Sequence, residues 1–591
     1  MGERRFVVEL IKPSHYDDDG YVIQWWKSWI PSNSHACLYG ITTGLAERRA
    51  LGPGVAIEIH AYDECHTVIP IARIIRRIKS ADAGLVCLVG VQSNQFPRAM
   101  DLAARLRDAG VQVAVGGFHV SGCLAMLPEM QADLQAALDM GCALFAGEAE
   151  DGRLDAVLRD VAAGTLKPIY RYLDELPAIE STPTPYLPAH TVARTLNHHA
   201  SFDAGRGCPF QCSFCTIINV QGRKSRRRSP DDVERLIRRH YAEGVRRFFI
   251  TDDNFARNKD WEPIFDRIIE LRERDKIDVR LIIQVDTLCH KLPNFVAKAA
   301  RAGVTRVFIG LENINPANLM AAKKRQNKIT EYRKMLLAWK NAGVITFAGY
   351  ILGFPGDTPQ SIREDIEIIK KELPLDVLEF FFLTPLPGSE DHKVAWQKGV
   401  WMDADMNKYD LEHTVADHPK MSRAEREEVY RAAWDTYYTR EHVETIIRRG
   451  TATNMGVSRL QAVLWFFSSV HAVEHLHPMQ CGVVRLKYRR DRRPGLPLEP
   501  LWTFYPKCAW ELVTKHARVF AHWWDLELMV RRARRRAGPG QYMDRALTPV
   551  EDDETETLEM FTHNEGARNE VAHTRKVAAL THGTAAVAQN A

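Results

Sequence analysis

The sequence predicts an α/β protein: an N-terminal doubly wound parallel sheet, a (β/α) partial TIM barrel, and a mostly helical C-terminal region. Three observations predict it. Short apolar runs alternate with helical patterns over residues 1–165. After a proline-rich linker at 166–200, a second series of strand–helix units runs over 201–400. Beyond 400 the readable pattern is helical, as at 422–449. With 591 residues, the chain has room for three to four domains at about 150 residues each. Hydrophobic residues make up 45% and charged residues 26%, an ordinary globular composition, and a chain this long buries several cores, which excludes a small disulfide-stapled framework. The net charge of +4 excludes neither a nucleic-acid nor a lipid partner, because charge acts locally.

In the first third, strands are expected at 6–11, 55–61, 85–90, 111–116 and 143–146, with helices at 35–49, 68–79, 97–109 and 124–140. Alternation at this spacing builds an open parallel sheet covered on both faces, whose ligands lie over the strand carboxyl ends. Those ends read Gln92-Ser93-Asn94, Gly116-Gly117-Phe118-His119-Val120-Ser121-Gly122 and Gly147-Glu148-Ala149-Glu150. Each combines small residues, which admit a broad ligand to the backbone, with polar ones that hold its edge. The competing reading is that the glycines only make turns.

The proline-rich segment 173–188 disfavours helix and marks the domain boundary. Barrel strands are expected at 246–251, 279–285, 306–311, 345–352 and 377–383, separated by helices such as 230–243 and 261–275. With the strand before the cysteines they make six units, and the mouth of such a barrel is its carboxyl-end face.

The densest signal is Ser201-Phe-Asp-Ala-Gly-Arg-Gly-Cys208-Pro-Phe-Gln-Cys212-Ser-Phe214-Cys215. Of eleven cysteines, eight are scattered and three fall within eight residues, a pattern of thiolate chemistry in a reducing cytoplasm. Structural zinc takes four ligands, usually in separated pairs. An iron–sulfur cluster held by three thiols keeps one iron open for a substrate. The C-x3-C-x2-C spacing resembles the radical S-adenosylmethionine (SAM) enzymes. The resemblance implies that Cys208, Cys212 and Cys215 hold a 4Fe–4S cluster whose open iron binds SAM, cleaved to a 5′-deoxyadenosyl radical. It also implies SAM contacts at Phe214, Asp252, Asp253, Gln284, Glu312, Tyr350 and Leu383, at or near the carboxyl ends of the barrel strands. Residues 349–358 resemble the family's G-x-I-x-G stretch, with aspartate at 357 where relatives often carry glutamate. Residues 384–389 resemble a segment that offers backbone contacts to adenine.

The first domain is similar to the cobalamin-binding domain found ahead of many such barrels, through GGFHVSG and GEAE. That likeness implies cobalamin contacts at Gln92, Ser93, Asn94, Gly116, Gly117, His119, Val120, Gly147 and Glu148. The D-x-H-x-x-G motif that supplies a histidine to cobalt is missing, and His15 and His66 are weak substitutes. The lower axial position is therefore expected to lack a histidine of that motif.

The remainder carries weaker signals. The basic run 223–228 reads as a solvated loop, with substrate phosphate or carboxylate binding as its alternative. A barrel-closing segment spans 401–450, where Tyr409 and His413 are candidates to face the substrate. His471, His475 and His477 are close in sequence without a full metal-ligand pattern. Residues 485–536 hold fourteen Lys/Arg against five Asp/Glu and eight aromatics, within a basic, aromatic region 451–545. Such interleaving suits a membrane edge or a nucleic-acid strand, against the plain reading of a helical cap. Prolines at 494, 497, 500 and 506 are expected to cut it into short pieces, and the acidic tail 546–591 is expected to be disordered. Neither a leader peptide nor a spanning helix is expected.

The resemblances together imply a cobalamin-dependent radical SAM enzyme that methylates an unactivated carbon. They imply an electron donor such as flavodoxin or ferredoxin, and a lipid, peptide or small-molecule substrate, with nucleic acid disfavoured. An oxidative cyclase with the same cofactors, or a cobalamin-binding sensor with a structural cluster, are the rival readings. A methylthiolation enzyme is weaker, because the other cysteines are too dispersed to form its extra trio.

Overall fold

The computed structural model describes residues 3–453, 455–536, 542–549 and 558–589. The first domain is a six-stranded, all-parallel sheet. Its strands are β1 (Arg4–Lys12), β3 (Val55–Asp63), β4 (Ala83–Leu88), β5 (Val113–Gly116), β6 (Ala143–Gly147) and β7 (Ile169–Tyr172). β2 (Gln24–Ser28) leaves this sheet and pairs elsewhere. The order β3-β1-β4-β5-β6-β7 places a topological switch beside β1. Val7, Ile11, Val86, Leu88, Val113 and Val115 fill the core under one face. Phe6, Val8, Leu10, Leu85 and Cys87 fill the other. Strands buried on both faces read as continuous apolar runs, which is why they were legible. β7 lies within the expected linker at 166–200; its only cue is the short run Ile169-Tyr170-Arg171-Tyr172, and its place at the sheet edge explains the polar residue.

The second sheet runs β8 (His199–Phe202), β11 (Arg247–Ile250), β12 (Arg280–Val285), β13 (Val304–Glu312), β14 (Ile345–Leu352) and β15 (Val377–Phe382), all parallel and in sequence order. It is a six-stranded partial barrel, and β8 and β15 form its two edges. Between β8 and β11 a two-residue ladder joins β9 (Gly205–Arg206) to β10 (Arg226–Arg227) and closes the base of the cysteine loop.

The open side is filled by the helix Val457–Glu474, whose Phe467 meets Phe347 of β14 at 5.2 Å. Its Phe466 stacks on Trp29 at 4.4 Å. Beside it, β2 pairs antiparallel with β16 (Gly482–Leu486), so the start of the chain is clasped to its last third.

The prolines do not break residues 501–536, which form one helix, Leu501–Arg536, containing Pro506. Pro506, sixth in the helix, removes one backbone bond, and the helix continues past it. The tail also departs from expectation. Glu559–Thr562 and Glu565–Gln589 are helical, and Leu558, Met560, Phe561, Ala567 and Val571 are buried in the main core. A few apolar residues at helical spacing outweigh the acidic composition; the acidic run 551–557 lies outside the described residues. Among the described residues, no helix is long and apolar enough to cross a membrane.

Candidate active site

The cysteine loop opens at the barrel mouth. Backbone bonds tie it to both neighbouring loops: Ser213 N donates to Ala322 O (3.0 Å), and Asp391 N donates to Ser213 O (3.1 Å). Burial pushes the Cys208 thiol up to about 11 and Cys215 up to about 12, and the Asp253 carboxylate adds to both. Thiolates here therefore require a cationic or metal partner. The Gln326 side-chain amide donates to Cys212 Sγ at 3.4 Å. Among the described residues no three His, Cys, Asp or Glu side chains close around a single ion. Three thiols are one short of the four ligands of structural zinc, and they fit a cluster that keeps one iron open.

Of the SAM candidates, Phe214 and Leu383 pack with Ala322, Ile351 and Phe354 in a small apolar cluster beside the thiols. Glu312 ends β13 at a register shift against β14, with φ of 63°. A left-handed glutamate at a bulge is strain held by its surroundings, and it re-aims the carboxylate. That carboxylate pairs with Lys324, which lies 5.7 Å from the Phe214 ring centre. At Gly310 a Cβ would come within 2.8 Å of both Glu312 Oε1 and Lys324 Nζ, so a side chain there would displace the tips of the pair. Asp253 is partly exposed; the surrounding walls push it up to about 7 against the pull of Arg206. Gln284 Nε2 reaches Asp252 O at 3.4 Å.

Two candidates point elsewhere. Asp252 accepts from Ala204 N (2.7 Å), Gly205 N (2.8 Å) and Asn258 Nδ2 (2.9 Å), so its carboxylate fastens the β8–β9 turn. Tyr350 is buried and donates to Asp365 Oδ2 at 2.8 Å, in the helix layer. Asp357 accepts from Gly353 N and Phe354 N, and stiffens the loop after β14.

Above the mouth, a cleft of about 960 Å³, counting its open entrance, lies over the ends of β4, β5 and β6. Gly116, Gly117, Gly147 and Glu148 line one wall; Arg206, Val220 and Gln221 of the cysteine-loop segment line the other. Small residues and a largely aliphatic wall fit a broad, flat cofactor. Among the described residues, no histidine lines the cleft. His15 and His66 are buried away from it, and burial lowers both, His15 to about 4.

Of the other candidates from the first domain, His119, Ser93 and Val120 are used internally. His119 Nδ1 meets Ser93 Oγ (3.1 Å), its Nε2 meets Asp133 Oδ2 (2.8 Å), and its ring lies 4.4 Å from Phe96. Val120 is in the core, and Gln92 and Asn94 belong to a turn outside the cleft lining. Gly117 also has a backbone reason: a Cβ there would sit 2.2 Å from Val91 N. The side chains proposed from the motif therefore shape the loop, while its glycines shape the cleft.

Sequence reasoning missed how the domains are joined. Arg206 donates to Glu148 Oε2 (2.7 Å), Glu150 Oε1 (2.7 Å) and Asp203 Oδ2 (2.9 Å), and all four residues are buried. Arg226 adds a second pair to Glu148, and Arg228 is fully buried against Asp203 O (2.9 Å). The basic run is thus partly an internal clamp and not a solvated loop. Its signal was two carboxylates two residues apart, facing an arginine immediately before the cysteines. Tyr409 donates to Asp403 O, and His413 lies between Asp410 and Asp18, which raise it to about 11 against its burial. His471 stacks on Trp434 at 4.4 Å, and His477 lies against Phe381 at 4.6 Å.

A three-thiol loop at the mouth of a partial (β/α) barrel, roofed by a doubly wound domain, defines a two-domain barrel enzyme. Residues 204–369 match the Radical SAM superfamily, and the barrel is a radical SAM domain. The chain is 28% identical over 350 residues to the bacteriochlorophyllide d C-8(2)-methyltransferase of Chlorobaculum tepidum, covering 56% of this chain and 72% of that protein. It is 26% identical over 313 residues to the hopanoid C-2 methylase of Rhodopseudomonas palustris, covering 52% and 56%. Its fold matches the radical SAM methyltransferase TsrM of Kitasatospora setae, a structure with cobalamin and a 4Fe–4S cluster bound. That match has a TM-score of 0.54 at 14% identity and spans 90% of this chain and 99% of that one.

Proposed function

We propose that this chain is a cobalamin-dependent radical SAM methyltransferase acting on an unactivated carbon. The observation that carries the reading is the cleft, which has the glycine loops of the first domain on one wall and the cysteine-loop segment on the other. A methyl carrier and a radical source must both reach one substrate, and this arrangement sets their sites against each other.

Bound together, the cluster, SAM and cobalamin supply hydrogen abstraction and methyl transfer. The chain's own residues do the rest. Cys208, Cys212 and Cys215 hold the cluster, and Gln326 donates to one of those sulfurs. Phe214, Ile351, Phe354 and Leu383 present an apolar wall for adenine. The Glu312–Lys324 pair and Asp253 offer both charges to the amino acid end of SAM. The clamp on Arg206 fixes the cleft relative to the thiols.

The two curated relatives methylate bacteriochlorophyllide d and hopanoids, and carbon methylation is the activity we carry over. The substrate here is a lipid, peptide or small molecule, and the reductant is a flavodoxin or ferredoxin of the cytoplasm.

Anaerobically reconstituted protein is expected to bind a 4Fe–4S cluster and one cobalamin, and to cleave SAM when reduced. Cys212→Ala should abolish cleavage while keeping cobalamin. Extracts of a strain lacking the protein should accumulate a compound one methyl unit lighter than the product. Zinc at the thiols, or cleavage retained by Cys212→Ala, overturns the reading; an oxygenated or cyclised product points to the cyclase instead.

A further inference from the structure

The helix Leu501–Arg536 has one face in the protein and one face bare. Phe504, Leu526, Met529, Val530 and Ala533 are buried. Away from that face, a stripe at intervals of one or two helical turns stands in solvent: Trp502 (79% exposed), Tyr505 (60%), Val513 (65%), Phe520 (61%) and Trp524 (48%), with Trp510 (71%) beside it. The stripe runs for more than six turns, about 33 Å at 1.5 Å per residue.

The charges on the helix are sorted as sharply as the aromatics. Its three acids are all only partly exposed and engaged: Glu511 with Lys487 (3.3 Å), Asp525 with Arg440 (2.7 Å), Glu527 with Arg531 (2.7 Å). The exposed charged residues of the helix are basic: Lys507, Arg518, Arg531, Arg534, Arg535 and Arg536.

We propose that this helix docks the protein on an anionic lipid bilayer, lying in the plane of the surface with the aromatic stripe in the headgroup–acyl boundary. Tryptophan and tyrosine favour that boundary because one end of each ring system is apolar and the other polar. Exposed cations beside an apolar stripe add attraction to anionic headgroups. A second copy of this chain fits less well: a two-fold interface sets each patch against itself, so exposed cations would face cations with no exposed acid on the helix to meet them. The proposal is independent of which cofactors the barrel holds.

The test is sedimentation of the full-length protein with phosphatidylcholine vesicles, with and without phosphatidylglycerol. Binding is expected to be at least about tenfold stronger with the anionic lipid and to weaken with salt. The surface variant Trp502→Ser/Trp510→Ser/Phe520→Ser/Trp524→Ser should lose vesicle binding while keeping the wild-type melting transition. The milder Lys507→Gln/Arg518→Gln/Arg535→Gln should lose the preference for anionic lipid. Acyl chains carrying bromine should quench tryptophan fluorescence of the wild type and not of the aromatic variant. Absence of vesicle binding overturns the proposal, as does equal binding by the aromatic variant. So does a dimer in light scattering that the aromatic variant dissolves, which would assign the stripe to a second copy.

Discussion

Glu379 stands in the middle of β15, fully buried, and among the described residues neither carboxylate oxygen meets a hydrogen-bond donor. The nearest cationic candidate is His477, whose Nε2 is 3.8 Å away and which burial lowers to about 3, so it stays neutral. Burial pushes Glu379 up to about 8. The folded state then holds a proton that the unfolded chain releases above about 4.5, so stability should fall as pH rises from there to about 8. Glu379→Gln should match the wild type at pH ~5 and exceed it at pH ~8.5 by on the order of 3 kcal/mol, read from urea unfolding. Equal stability at both pH values would place a donor on that carboxylate. The sequence shows this glutamate only as one polar letter in an apolar run, and its isolation becomes visible once the fold brings His477 beside it. Cys208, Cys212 and Cys215 are the opposite case, because a cluster motif is local and its spacing alone carries the chemistry.

At the scale of elements, the β9–β10 ladder and the GEAE loop after β6 form one electrostatic joint. Burial alone would raise Asp203, but Arg206 and Arg228 beside it hold it down to about 2. Arg206→Met leaves buried Glu150 without its cation, while Glu148 keeps Arg226 and Asp203 keeps Arg228. It should cost about 3–5 kcal/mol in denaturant unfolding, with Glu148→Gln costing less because Arg226 keeps a neutral acceptor. The joint should also weaken as pH falls from about 4 towards 2, where Asp203 takes up its proton. Strands and amphipathic helices were legible here because their periods are short-range. The ion pairs were not, since Glu148 and Arg206 meet across 58 residues. Likewise Gly116, Gly117 and Gly147 announced a crowded sheet edge, while the inward turn of His119 depends on Asp133 of another helix.

For the whole molecule, the decisive contact is glycine against glycine. A Cβ on Gly122 would lie 2.5 Å from Pro387 O and 2.8 Å from Gly388 Cα, so the GGFHVSG segment abuts the loop after β15 with no side chain between. Gly122→Val should pry the domains apart, adding a second unfolding transition in calorimetry and exposing residues 173–188 to protease; one unchanged transition would show that the contact is not needed. The linker expected at 166–200 takes in β7 of the first sheet, while the alternation of strands and helices was readable along the chain. How the domains abut was not, because a glycine gives no sign of which backbone it admits.

The pairing of β2 with β16 has a consequence for synthesis. Trp25 waits in the nascent chain for a partner strand more than 450 residues downstream. At roughly 5–20 residues per second, that delay is on the order of half a minute or longer. Through that interval the ribbon around Trp25 and Trp26 is an unpaired, aromatic-rich edge leaving the ribosome, the kind of surface a holding chaperone grips.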